Sequence, residues 1–140
     1  MSETIESQIY SALKTKLQEL VSSGVLAKVF EGFEENLSDV YPAVYIDVVS
    51  HGFEAITPNK DEFRMEVDLE VECFNEEYSL GKEEARKVVM QIRDHLVADR
   101  TLSNTADVLH VESHDFEAEA YPDGYLFHGT ISVEIVRWMV

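Results

Sequence analysis

The stretch Asp61-Glu62-Phe63-Arg64-Met65-Glu66-Val67-Asp68-Leu69-Glu70-Val71-Glu72-Cys73-Phe74 decides the fold class. Phe63, Met65, Val67, Leu69, Val71 and Cys73 alternate with Glu62, Arg64, Glu66, Asp68, Glu70 and Glu72, a period of two sustained over 12 residues. A strand points successive side chains to opposite faces, so one face of this strand is core and the other is acidic. A sheet with a single apolar face needs a covering layer on that side only.

The covering layer is legible on both sides of the strand. Within residues 79–99, Ala85, Val88, Val89, Ile92 and Leu96 form one helical stripe, with Lys82, Glu83, Arg86, Lys87, Arg93 and Asp94 largely off it. Within residues 3–22, Ile5, Ile9, Ala12, Leu13, Leu17, Leu20 and Val21 recur at helical spacing, and Ser23-Gly24 ends the run. Between that helix and the deciding strand, residues 25–30 read as a short strand, 31–39 as a loop and 43–50 as a second strand. A connection carrying His51-Gly52 and Thr57-Pro58-Asn59 follows. Beyond the polar residues 101–107, Leu109 and Val111 begin a strand that runs toward Ala118. Tyr121-Pro122-Asp123-Gly124 reads as a hairpin turn, and residues 125–138 as the last strand.

The element order is therefore α-β-β-β-α-β-β. The expected fold is α+β and two-layered, with two helices packed on one face of a mainly antiparallel sheet, in one domain over residues 1–140. Composition agrees: 45% hydrophobic and 28% charged residues in a chain of 140 are enough for one packed core.

Eleven Lys and Arg stand against 28 Asp and Glu, a formal charge of −17. Such a surface repels DNA, RNA and anionic lipid. The single cysteine, Cys73, forms no intramolecular disulfide and matches no zinc spacing, which fits a reducing cytoplasm. Its place on the apolar face of the deciding strand makes it a core side chain rather than a nucleophile. The N-terminal residues lack the basic and apolar regions of a signal peptide, and no apolar run is long enough to span a membrane, so a soluble, unexported protein is expected.

Chemistry-bearing motifs are sparse. His110, Glu112 and His114 alternate on one strand and share a face, but the outer histidines would lie about 13 Å apart, too far to meet on one ion without a bend. A solvated strand face accounts for them, and no metal site is assigned. His51 and His128 stand alone. The acid pairs Glu34-Glu35, Glu76-Glu77 and Glu83-Glu84 are expected at this charge, and adjacent residues do not converge. There is no Gly-rich phosphate loop, G-x-S-x-G elbow or H-E-x-x-H motif, so no catalytic residue and no cofactor are expected, and the protein is not read as an enzyme.

What stands out is where the charge lies. The outer face of the deciding strand sums to −4, and residues 107–123 hold six acids without a Lys or Arg. Acids on strands guard sheet edges against aggregation. They also suit a surface that meets a basic partner, or a passage through which a polyanion slides without sticking. The chain ends Ile135-Val136-Arg137-Trp138-Met139-Val140, apolar on both faces of a strand, as a core strand or a subunit interface would be. Val136, Trp138 and Met139 are the candidate interface residues.

Taken whole, the chain resembles the tail terminator (tail completion, or minor tail) proteins of tailed bacteriophages and prophages. The resemblance lies in element order and size: an opening helix, three strands, the helix containing Glu83-Glu84-Ala85-Arg86-Lys87-Val88-Val89-Met90-Gln91-Ile92, and a closing hairpin ending in Val133-Glu134-Ile135-Val136-Arg137-Trp138. It implies a homo-hexameric ring that caps the tail tube, stops its polymerisation and offers the surface to which the head docks. The implied partners are further copies of the chain, the tail tube protein and a head completion or connector protein, with DNA passing through without being bound tightly and no membrane involved. The implied location is the host cytoplasm during assembly and then the tail or neck of the virion. Glu66, Asp68, Glu70 and Glu72 are the candidates for a bore or partner-facing surface, chosen on charge pattern alone. A head-tail joining or stopper protein is the alternative within the class, and a small cytoplasmic ligand-binding module the alternative outside it.

Overall fold

Thr4 opens the first helix, α1 (Ile5–Ser22), by accepting the Ser7 N–H on its Oγ1 at 3.1 Å. The helix stops where Gly24 takes a φ of +88°, which lets the Gly24 and Val25 N–H groups reach back to the carbonyls of Val21 and Leu20. The computed structural model describes residues 4–32, 40–58, 60–113 and 116–139. Within them, β1 (Lys28–Glu31), β2 (Ala43–Thr57) and β3 (Lys60–Asn75) precede α2 (Tyr78–Val97), and β4 (Val108–Ser113), β5 (Glu117–Tyr121) and β6 (Gly124–Met139) follow it.

The strands form one sheet in the order β1-β2-β3-β6-β4, with β5 also paired to β6. β3 runs antiparallel to β2 on one side and to β6 on the other. Its odd-numbered residues from Phe63 to Cys73 are 0–1% exposed, as the alternation predicts. They face Ile9, Leu13, Leu17 and Leu20 of α1 and Ala85, Val88, Val89, Ile92 and Leu96 of α2, all in one core. Both helices thus cover the same face, and the expected two-layer α+β fold is the fold observed. Among the described residues no polar or charged side chain is buried.

Three details depart from the sequence reading. β1 pairs with β2 in parallel, not antiparallel as loop length suggested. A four-residue strand is only about 13 Å long, so a parallel neighbour requires the chain to travel back no further than that. β2 does not stop at Ser50. It continues to Thr57 because the His51-Gly52 segment, expected as a connection, pairs with Met65 and Arg64 after a register shift between Val48 and Ser50. The strand expected from Leu109 toward Ala118 is two strands, β4 and β5, each paired with its own part of β6. The expected hairpin at Tyr121-Pro122-Asp123-Gly124 is present, joining Tyr121 to Gly124 across two residues. The loop expected over residues 31–39 falls almost wholly outside the described residues, as does Asn59.

The seating of α2 depends on Gly81. A Cβ there would lie 2.4 Å from Cε2 of Phe127 and 2.8 Å from Cβ of Asn75, so the helix meets the sheet closely only because that atom is missing. Gly81→Ala is expected to lower unfolding stability by about 1–3 kcal/mol, the usual cost of overpacking. Gly52→Ala, with nothing within 4 Å of its Cβ, should change it little. Urea midpoints of the two variants check this, and equal midpoints would refute the role given to Gly81.

Cys73 is 1% exposed, and burial, with Glu84 and Glu72 nearby, pushes its thiol up to about 12. A maleimide at pH 8 should therefore leave the folded protein unlabelled and modify it only in denaturant; stoichiometric labelling under native conditions would contradict this burial.

Candidate functional site

The ladder that turns Phe63, Met65, Val67, Leu69 and Val71 toward the helices turns Arg64, Glu66, Asp68, Glu70 and Glu72 to the opposite face, which neither helix covers. Directly opposed residues share a face, so the pairing shows what joins them. Glu66 lies between Ser50 and Glu134, with His110 beyond; Asp68 lies between Asp47 and Ser132, with Glu112 beyond. Glu70 is flanked by Tyr45 and Thr130, and Glu72 by Ala43 and His128. The four acids singled out in the sequence therefore form one column on one open face, and Asp47, Glu54, Glu112, Glu117 and Glu134 extend it across the neighbouring strands. Nothing in the local sequence could place these five there, because strand register determines it.

The column carries an electrostatic load. Asp47 faces Asp68, Glu54 faces Glu62, and Glu66 faces Glu134. Like charges directly opposed across strands are destabilising. Arg64 offsets part of this, its guanidinium donating to Glu62 at 2.9 Å and to Glu134 at 3.0 Å. Those two carboxylates hold the Arg64 pKa above its ordinary value. Ser132 donates to Asp68 at 3.0 Å and Ser50 to Glu66 at 3.3 Å. Among the described residues no such hydrogen bond or ion pair reaches Glu70 or Glu72. A shallow cleft of about 240 Å³ runs along the column, with Glu66, Asp68, His110, Glu112 and Glu134 among its walls.

His110 and Glu112 thus share the outer face, as their spacing requires, while His114 lies outside the described residues. Among the described residues no group of three or more His, Cys, Asp or Glu side chains is arranged to hold a metal ion.

At the end of the column, where Glu72 gives way to Phe74, a second and larger cleft opens. It encloses about 370 Å³ and is lined by Tyr41, Phe74, Tyr121, Asp123 and Leu126. Tyr41 and Phe74 stack with ring centroids 6.0 Å apart, and the Tyr121 hydroxyl donates to Glu119 at 3.0 Å. Glu119, together with Glu72, raises the Tyr121 phenol pKa.

The terminal strand divides the candidate interface residues. Val136, in the row of Arg64 and Val108, is only 4% exposed and is covered within its own chain. Met139 packs against the core. Trp138 is 42% exposed, with the Lys60 ammonium 4.7 Å from its ring centre. Val140 lies outside the described residues. Two further apolar side chains stand exposed on β2, Val49 at the register shift and Phe53. From Asp47 onward β2 pairs only with β3 among the described residues, which leaves one edge open. No helix among the described residues is long and apolar enough to cross a membrane.

No family model matches the sequence. No curated protein matches it either. Among solved structures, a chain of the virion of a native gene transfer agent particle is similar to this one, at 9% identity and a TM-score of 0.43, over 90% of this chain and 92% of that chain.

Proposed function

We propose that this chain is a structural assembly protein of a phage-like virion, a ring that caps the tail tube, ends its polymerisation and presents a surface for head docking. The observation that carries the reading is the uncovered acidic face of the sheet, with three pairs of acids directly opposed across strands. A solitary soluble domain gains nothing in stability from such pairs. A ring whose bore must pass DNA gains low affinity for phosphate, since a bore without free cations releases no counterions on contact with the duplex. The open edge of β2 and the exposed Phe53 and Trp138 are surfaces that neighbouring subunits or the tube would cover. The ring is proposed as a homo-hexamer with the tail tube protein and a head completion or connector protein as neighbours, and the reading gives it no catalytic role. A head-tail stopper shares this geometry and differs in what it docks against.

Six copies at −17 carry −102, so assembly should strengthen as salt screens the repulsion. Light scattering after size exclusion, from about 50 mM to 1 M salt, is expected to show a species near six times 16.0 kDa, 96 kDa. A particle of 16 kDa at every salt, with no mass added by magnesium or a tube protein, would favour a small ligand-binding module instead, with the 370 Å³ aromatic cleft as its site. For the bore, Glu66→Lys with Glu70→Lys should slow DNA release or block assembly. Assembly and infectivity equal to wild type would remove these acids from the function.

A further inference from the structure

Nine of the eleven basic side chains are already engaged: each bonds a carboxylate, a carbonyl or a side-chain amide oxygen, or lies over an aromatic ring of its own chain. Arg86 and Lys87 are the remaining two, and among the described residues neither has a partner. Both are exposed on α2, beside Met90, which is three residues from one and four from the other and 58% exposed. In a chain of net charge −17, these two cations flank an exposed methionine, with the exposed Glu83 and Glu84 one turn earlier on the helix, and together they offer charged heads beside an apolar foot.

Its complement lies on the other layer of the molecule. The aromatic cleft has Tyr41, Phe74 and Tyr121 in its walls and the Asp123 carboxylate beside them, with Glu119 bonded to the Tyr121 hydroxyl. Aromatic faces attract a guanidinium or ammonium group through the ring quadrupole, and a carboxylate beside them adds a charged hydrogen-bond acceptor. A volume of about 370 Å³ is ample for a long basic side chain.

We infer that the cleft of one copy of this chain receives the Arg86 and Lys87 side chains from α2 of the next copy. The patch sits on the exposed side of the helix layer and the cleft on the uncovered side of the sheet, so one molecule cannot satisfy both with itself. A patch on one face and its complement on the opposite face generate head-to-tail contacts, which close into a ring or run on as a filament. The inference deepens the ring reading and rests on it only in requiring self-association. The cleft lies at one end of the acidic column, on the same face of the sheet, so the next copy covers that end of the face.

Paired charge reversals test the contact by light scattering at moderate salt. Arg86→Glu with Lys87→Glu, and separately Asp123→Lys, should each weaken self-association by about tenfold or more, as loss of a buried interface cation or its acceptor does. Far-UV circular dichroism and the urea midpoint should stay at their wild-type values. Mixing the two variants should restore the large species, since reversed helices meet reversed clefts in alternating copies. If the Arg86→Glu, Lys87→Glu protein assembles as well as wild type, or if mixing restores nothing, the contact is wrong while the ring stands. A wild-type protein that stays at 16 kDa at every salt, with no mass added by magnesium or a tube protein, overturns the ring reading itself, and the contact with it.

Discussion

The structure depends on β3 being hydrogen-bonded along both edges in a single register. Its pairing with β2 and β6 brings Ile46 and Val48 on one side, and Ile131 and Val133 on the other, onto the face that carries Leu69 and Val67. α1 and α2 pack on that apolar face. Because side chains alternate with a period of two, slipping β3 by one residue would turn Glu66, Asp68 and Glu70 under the helices and Val67 and Leu69 into water. Burying unpaired carboxylates costs several kcal/mol each, so the register is strongly specified and the fold has one way to close.

The same constraint produces the molecule's polarity. Whatever is not apolar on β3 must share the other face, and on this strand it is almost entirely acid. β2 and β6 add further carboxylates in direct opposition, and the chain answers with Arg64 bridging two of them and with serine hydroxyls donating to two more. These bonds soften the repulsion without neutralising the face, which therefore stays hydrated and turns away polyanions. Arg86 and Lys87, the two cations without a partner among the described residues, sit on the helix layer, beyond the core from this face. The protein is thus anionic on its open side and carries its free positive charge on the other, an arrangement suited to head-to-tail neighbours.

Parts of this were legible in the chain and parts were not. The 12-residue alternation, the apolar stripes of both helices and the Pro122-Asp123 turn are local patterns, and each element they predict is present. The burial of Cys73 and the common face of Glu66, Asp68, Glu70 and Glu72 follow from the same local rule. The parallel pairing of β1, the extension of β2 past His51 and the division of β4 from β5 are decided by which strand lies alongside. The apolar end of β6 showed the same limit: the sequence offered Val136 as readily as Trp138 for an interface, and the neighbouring row of the sheet covers one and exposes the other.

The amino-acid sequence by itself determined which residues go inside, which strand carries the acid and how many helices cover the core, because side-chain direction in a helix or strand repeats with a fixed period along the chain. Only the tertiary structure decided that Asp47 and Glu134 join the acidic column, and that Tyr41, Phe74, Tyr121 and Leu126 close around Asp123. These groups lie far apart along the chain. Their meeting is set by strand order and register, and those follow from packing the whole core rather than from any local preference.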